Sequence, residues 1–206
     1  MSLLRRSILG RPKHIYLRAL TDVFRVETLS PYIFVLPTVV TMDYDVVVLD
    51  GANNNQMTIV GRGGSSPTAF FQNSSGLDPS VGIPESNFTS ASISATGVGD
   101  LRGKRESHIQ VTLGTSGLMN IYIDGELKNT INGPSQTGAT FNFLFWRNGM
   151  TSLFLNPNIL IRNLKISTSG GITIDMPLEG NFNNSGSAPI STITGVEDVD
   201  YKFIKA

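Results

Sequence analysis

Hydrophobic and polar residues alternate along most of the chain with the period of two expected for half-buried β-strands. The alternation is clearest in 88–96, where Ala91, Ile93 and Ala95 stand between serines, and it returns in 108–113. β-branched runs mark further segments. Together these patterns predict strands over 42–49, 56–61, 68–72, 88–96, 108–113, 118–123, 126–131, 140–146, 159–166 and 171–178, with an edge strand over 201–204.

Turn residues separate these segments. Asp124-Gly125 stands between two alternating stretches and is the strongest hairpin signal in the chain. Residues 73–84 read as a loop, and residues 15–24 suit either a helix or a strand. No segment predicts a helix of more than two turns. Ten or more short strands in 206 residues predict an all-β fold, an antiparallel β-sandwich of jelly-roll type.

The first 27 residues differ from the rest because they combine many positive charges with large apolar residues. A purely solvated arm would not carry so many apolar side chains. We therefore predict an extended N-terminal arm over 1–27 and a sandwich domain over 28–206. The arm docks onto a neighbouring subunit in the favoured interpretation; packing on the chain's own body and contact with nucleic acid are the alternatives. Its assembly residues are Arg5, Arg6, Leu9, Arg11, Tyr16 and Arg18.

The amino-acid composition limits the classes of function that the protein can have. Lys and Arg number 16, as do Asp and Glu, so the zero net charge argues against a specific nucleic-acid partner. The absence of Cys excludes disulfides and thiolate chemistry, and two His residues exclude a three-His zinc site. Charged residues make up only 16%, which is typical of a surface built from Asn, Ser, Thr and Gly or covered by a partner. No apolar run reaches the roughly 18 residues of a membrane span.

Residues 40–180 resemble the concanavalin A-like, laminin G-like sandwich family. The resemblance rests on 108–113 followed by 118–127, which is similar to the family's Tyr-x-Asp-Gly hairpin, on 154–166, and on 174–186 as a closing strand and turn. It implies two curved antiparallel sheets and a role in glycan or protein contact. A small, cysteine-free sandwich with a basic and apolar arm also resembles bacteriophage virion proteins of the tail or capsid.

The sequence gives little support for a catalytic function. Glycosidases need two carboxyl groups that flank one bond. Asp43 and Asp45 share one face of a strand, but two solvated or amide-bonded acids on a rim strand are the favoured interpretation. The acids Glu197, Asp198 and Asp200 lie in the C-terminal tail, and His108 reads as a packed or hydrogen-bonded residue. We assign no catalytic residue.

No metal ligand is assigned either. Calcium is the one metal worth weighing, because it takes oxygen ligands and needs neither His nor Cys. Asp50, the asparagines 53–55, Asp78 and Asp100 would be its sources. Polar turn chemistry explains each of them as well and ranks ahead. We therefore predict that the protein needs no cofactor.

Candidate glycan-binding or interface residues are Trp146, Arg147, Asn148 and Tyr122. Phe141, Phe143 and Phe145 alternate as a core stripe, so Trp146 has the opposite parity and should face away from the core. An outward Trp is a binding platform or a subunit contact, and subunit contact ranks slightly ahead.

These observations favour a non-catalytic structural protein of a phage tail or capsid, made in the host cytoplasm and located in the virion. Its partners would be copies of itself, as a homo-oligomer, and other virion proteins. The alternative is a glycan-binding adhesion or receptor-binding module with a cell-surface glycan as partner. A glycosidase-like enzyme ranks third.

Overall fold

The computed structural model describes the backbone of the strands and of some of their connections, and these ranges contain strands, turns and bends but no helix. It describes residues 13–19, 25–34, 40–49, 55–61, 69–73, 80–84, 90–94, 101, 106–114, 118–132, 139–145, 159–194 and 199–205.

Two sheets account for the fifteen strands of the described ranges. The strands of the eight-stranded sheet are β1 (Lys13–Ala19), β3 (Val40–Val48), β8 (Ser107–Leu113), β9 (Leu118–Ile123), β10 (Glu126–Asn132), β12 (Ile159–Thr168), β13 (Gly171–Met176) and β15 (Val199–Lys205). Their order across the sheet is β10-β9-β8-β3-β12-β1-β15, and β13 also pairs with β12.

The strands of the seven-stranded sheet are β2 (Arg25–Phe34), β4 (Asn55–Gly61), β5 (Ala69–Asn73), β6 (Ser80–Pro84), β7 (Ser90–Ser94), β11 (Ala139–Leu144) and β14 (Ile190–Thr194). Their order across the sheet is β14-β2-β11-β4-β5-β6-β7. The described strand pairs of both sheets are antiparallel throughout.

The hydrophobic core lies between the two sheets. Val26 on β2 and Leu144 on β11 join one buried cluster with residues of the eight-stranded sheet, among them Tyr44 and Ile161. Burying these apolar surfaces is the main favourable term that holds two sheets face to face. The predicted antiparallel β-sandwich is therefore confirmed.

The Asp-Gly hairpin is also confirmed. Asp124 and Gly125 both have positive φ, at 53° and 82°, as a type I′ turn requires. The Asp124 carboxylate accepts a hydrogen bond from the backbone N–H of His108 at 2.8 Å, which ties the turn to β8. Residues 199–205 form the edge strand expected near the C terminus.

The sequence patterns did not predict some of the strands. β6 lies inside the predicted loop 73–84, which was wrong because a short Gly- and Pro-containing segment pairs with β5 and β7. β2 carries Pro31, which cannot donate to a ladder. Its pairing with β11 shifts register between Tyr32 and Glu27, so the proline lies in the irregular stretch.

Part of the predicted N-terminal arm belongs to the sandwich. Residues 13–19 form β1, which lies between β12 and β15 in the eight-stranded sheet, and β2 begins at Arg25. The boundary at residue 27 is therefore corrected for these residues, because Tyr16 and Leu17 are buried by the chain itself. Residues 1–12 lie outside the described ranges.

Within the described ranges, no helix is long and apolar enough to cross a membrane.

Candidate ligand-binding face

The site occupies the face of the eight-stranded sheet that points away from the core, which we call the outer face. On β3, Val40, Met42 and Tyr44 point into the core, and the residues between them point outward. Cross-strand neighbours share a face. The register of β3 with β8 and β12 therefore places His108 and Gln110 on the outer face, where Arg162 and Lys165 also lie.

One part of the outer face is covered. Tyr16, Val47 and Leu160 form a second buried apolar cluster, separate from the main core. We call these three residues, together with Asp45 and Arg162 beside them, the covered patch. Val47 has core-facing Val46 and Val48 as neighbours, so β3 is apolar on both faces here. A central strand with both faces buried reads as a continuous hydrophobic run.

Arg162 organises the polar side of the covered patch and is 8% exposed. Its guanidinium donates to both carboxylate oxygens of Glu106, from Nε at 2.5 Å and Nη2 at 2.8 Å, and lies 5.3 Å from the centre of the Tyr16 ring. Its Nη1 also contacts Glu179 at 3.2 Å and His14 Nδ1 at 2.5 Å. Such bidentate Arg–carboxylate pairs have fixed geometry.

The same carboxylate links Tyr16 to the network, because the Tyr16 hydroxyl donates to Glu106. Burial and then the hydrogen bond to Glu106 raise the pKa of Tyr16. Burial alone would raise the pKa of Glu106, but the hydrogen bonds from Arg162 and Tyr16 outweigh it and lower that pKa. Burial opposes the charge on Arg162, yet Glu106 raises its pKa. The network therefore holds a charged pair on the sheet.

A β-bulge on β12 directs side chains toward Asp45. The register with β3 shifts between Arg162 and Lys165, and Asn163 has a left-handed φ of 53°. Asn tolerates this conformation better than most residues. Its Nδ2 donates to Asp45 Oδ2 at 2.6 Å, while the Arg162 Nε lies 3.5 Å from the same oxygen.

His108 lies between the two acids of β3. Its Nδ1 is 2.8 Å from Asp45 Oδ1, and its Nε2 is 3.5 Å from Asp43 Oδ1. Gln110 Nε2 donates to Asp43 Oδ1 at 2.7 Å. Both acids thus meet an amide, as expected, although β3 is a central strand and not a rim strand. His108 is hydrogen-bonded, also as expected.

The rest of the outer face carries a row of side chains that runs across six strands. Tyr122 on β9 stands opposite Gln110 and Leu127, and Gln110 stands opposite Asp43. Lys165 continues the line from Asp43, and Asp175 follows it on β13. We call this set the polar row: Asp175, Lys165, Asp43, Gln110, Tyr122 and Leu127.

The polar row is more open than the covered patch. Leu127 is 51% exposed, and Tyr122 and Gln110 are partly exposed. A second line beside it contains Thr112, Asn120 and Thr130, in which Asn120 accepts from Thr130 Oγ1 at 2.6 Å and contacts Thr112 at 3.4 Å. An aromatic ring thus lies among amides, hydroxyls and carboxylates on an accessible sheet surface.

The other predicted binding residues, Trp146, Arg147 and Asn148, lie outside the described ranges. The parity argument for Trp146 is wrong in one step: β11 ends at Leu144, and Phe145 has a positive φ of 63°. Leu144 and Phe145 are consecutive and both buried, so the alternation stops before Trp146.

Some of the predicted arm residues lie within the described ranges, and others lie outside them. Arg5, Arg6, Leu9 and Arg11 lie outside the described ranges. Tyr16 is 1% exposed within this chain, so its predicted contact with a partner is corrected, and Arg18 is partly exposed on β1. Among the suggested calcium ligands, Asp50, Asn53, Asn54, Asp78 and Asp100 are also outside these ranges, and Asn55 is the first residue of β4. Among the described residues, no group of three or more His, Asp or Glu could hold a metal ion.

Sequence reasoning did not find the roles of Arg162, Glu106 or Gln110. A signal for Gln110 was present in part: it alternates with the apolar Ile109 and Val111, which predicts that its side chain faces away from the core. Arg162 and Glu106 are 56 positions apart, and no local pattern joins them.

No protein-family model matches the chain, and neither does any curated protein. Solved structures do resemble it. A candidate carbohydrate-binding protein from Bacteroides ovatus gives a TM-score of 0.64 at 12% identity, over 95% of this chain and 62% of its own. A native heptameric SAP-like pentraxin from Limulus polyphemus gives 0.56 at 10% identity, over 94% and 93%.

The ligand-binding domain of botulinum neurotoxin serotype D, solved with N-acetylneuraminic acid, gives a TM-score of 0.53 at 15% identity. The match covers 76% of this chain and 39% of the toxin domain, so this chain spans about two fifths of that domain's length. At these identities the likenesses establish the fold alone: a sandwich of two antiparallel sheets, as the resemblance in the sequence implied.

Proposed function

We propose that this protein is a non-catalytic, lectin-like module that binds glycans through the outer face of its eight-stranded sheet. The observation that carries the proposal is Tyr122, a partly exposed ring set between Gln110 and Leu127 in the polar row. An aromatic ring offers an apolar face to the carbon–hydrogen side of a sugar and a hydroxyl at its edge. Neighbouring amides and carboxylates offer partners to sugar hydroxyls.

The fold neighbours support a binding role. One is described as carbohydrate binding, and another was solved with a sialic acid. The two acids of β3, which a glycosidase reading would use, already contact side chains: both oxygens of Asp45 do so, through His108 and Asn163, and Asp43 Oδ1 accepts from Gln110. This favours binding over catalysis.

The phage virion role, including assembly with copies of itself and location in the virion, stays a prediction. It rests on the charged and apolar residues of 1–27, of which 1–12 and 20–24 lie outside the described ranges. No contact among the described residues favours it over the glycan-binding proposal.

Glycan binding by the full chain tests the proposal. We expect Tyr122→Ala to weaken binding about tenfold or more, because a lost aromatic contact of about 1.4 kcal/mol has that effect. Leu29→Ala is the matched control: Leu29 is 69% exposed on the other sheet. Trp146→Ala tests the other predicted platform. The site is misplaced if Trp146→Ala alone abolishes binding, and the function is wrong if no glycan binds the unaltered chain.

A further inference from the structure

We infer that the polar row selects neutral, hydroxyl-rich glycans over glycans that carry a carboxylate. This inference rests on the proposed function and names the ligand class for the same site. It follows from which hydrogen-bonding groups of the row remain open and from the charge that surrounds them.

The open groups of the row beside Tyr122 are acceptors. Gln110 donates its Nε2 to Asp43 Oδ1, so the amide orientation is fixed and its Oε1 points elsewhere. Within the described part of the chain, neither Gln110 Oε1 nor Asp43 Oδ2 accepts a hydrogen bond. A ligand that satisfies both must bring hydrogen-bond donors, and adjacent sugar hydroxyls are such donors.

The charge nearest to the ring within the row is negative, because Asp43 lies one strand beyond Gln110. Asp43 is a carboxylate whose side chain is only 18% exposed, so water screens it less than a fully exposed group. The nearest cation along the row is Lys165, and its Nζ lies 3.8 Å from Asp175 on the far side. On β10, Lys128 Nζ lies 2.5 Å from Glu126.

The balance of these charges sets the preference. The row contains two carboxylates, Asp175 and Asp43, and one ammonium, Lys165, so it carries a net negative charge. A ligand carboxylate that extends from Tyr122 across Gln110 would approach Asp43, and the one cation among the described residues of the row, Lys165, lies beside Asp175. Like charges placed together across an interface are a common source of discrimination. A neutral sugar meets no such repulsion and gains the two acceptors.

The test uses matched pairs of oligosaccharides that differ only in a terminal N-acetylneuraminic acid. Dissociation constants are measured for the full chain, for Tyr122→Ala and for Asp43→Asn. We expect the neutral member of each pair to bind at least about fivefold more tightly than the sialylated one, since about 1 kcal/mol of partly screened repulsion has that effect. Asp43→Asn should narrow the ratio, because it keeps the shape of the side chain and removes its charge.

The outcomes separate the two proposals. Tighter binding of sialylated glycans that is lost in Tyr122→Ala would overturn the ligand class and leave the glycan site in place. A ratio that Asp43→Asn does not change would overturn the role given to Asp43. Absence of binding to both members of every pair would overturn the ligand class and the proposed function together. Leu29→Ala should leave both constants unchanged.

Discussion

Arg162 and Lys165 lie on one strand and on one face of it, but their surroundings differ. The Arg162 side chain is 9% exposed and contacts Glu106 through two hydrogen bonds. The Lys165 side chain is 40% exposed, and its Nζ lies 3.8 Å from one oxygen of Asp175. The first belongs to the covered patch, the second to the polar row.

The comparison separates stability from binding. In the covered patch, charges are matched by several partners, and they connect β1, the segment before β8 and the loop after β13 to the middle of the sheet. In the polar row, Tyr122 and Gln110 are partly exposed, and Leu127 is 51% exposed. On the outer face, the most buried ion pairs therefore lie in the covered patch, and the exposed polar groups lie in the polar row, where a ligand can contact them.

The largest effect we expect from breaking this division is in Arg162→Met. The change removes the cation and leaves the Glu106 and Asp45 carboxylates without it in a mostly buried setting. Removing one partner of a buried pair typically costs about 3–5 kcal/mol. Chemical denaturation measures the free energy of unfolding.

Lys165→Met is the matched control, since it makes the same change three residues away in the polar row. Exposed ion pairs contribute about 0–1 kcal/mol. Equal losses in the two variants would contradict the division of the outer face into covered and open parts.

The next largest effect concerns Gly186, in the loop that follows β13. A Cβ built there would come within 3.0 Å of the carbonyl group of Thr173 and the backbone nitrogen of Ile174, which are not flexible side-chain ends. The loop is fixed in this position, because Asn184 accepts from the backbone N–H of Asp175 at 2.7 Å. Gly186→Ala should therefore destabilise the protein by about 1–3 kcal/mol, as overpacking does.

Gly170→Ala provides the comparison for that variant. A Cβ at Gly170 would meet only Thr168 Oγ1, at an ordinary 3.6 Å. We expect a change within about 0.5 kcal/mol, measured as a shift of the denaturation midpoint. A Gly186→Ala protein as stable as Gly170→Ala would show that the loop does not pack tightly on β13.

Much of the fold could be predicted from local patterns. The hairpin at Asp124-Gly125 depends on two adjacent residues with positive φ, and sequence alone identifies such turns. β1 could not be assigned, because the apolar residues Ile15, Tyr16 and Leu17 are consecutive and give no period. Tyr16 and Leu17 are buried on opposite faces of a sheet in which the partner strands of β1, namely β12 and β15, lie more than 140 residues away.

The candidate site is harder to predict from the sequence than the hairpin. The sequence offers Tyr122 as an aromatic candidate for glycan binding but does not show which residues surround it. Its partners across the sheet depend on register, which the alternation alone does not fix between distant strands. Gln110 and Asp43 are 67 positions apart and meet only because β8 pairs with β3.

The smallest effect we expect is the change in acid stability when Glu106 becomes Gln. The pKa of Glu106 is lower in the folded protein than its ordinary value of 4.5, so the unfolded chain binds the proton more readily. Its contribution to stability is therefore present above pH 4.5 and is lost as the pH falls below that value toward the folded pKa. Glu106→Gln should lower the free energy of unfolding at neutral pH and flatten its decline in acid, measured by denaturation at a series of pH values.

In Glu126→Gln, where the lost carboxylate is 75% exposed beside Lys128, the decline should match that of the unaltered protein. If both variants keep the full acid-dependent loss, the Arg162–Glu106 pair does not stabilise the covered patch through its charge.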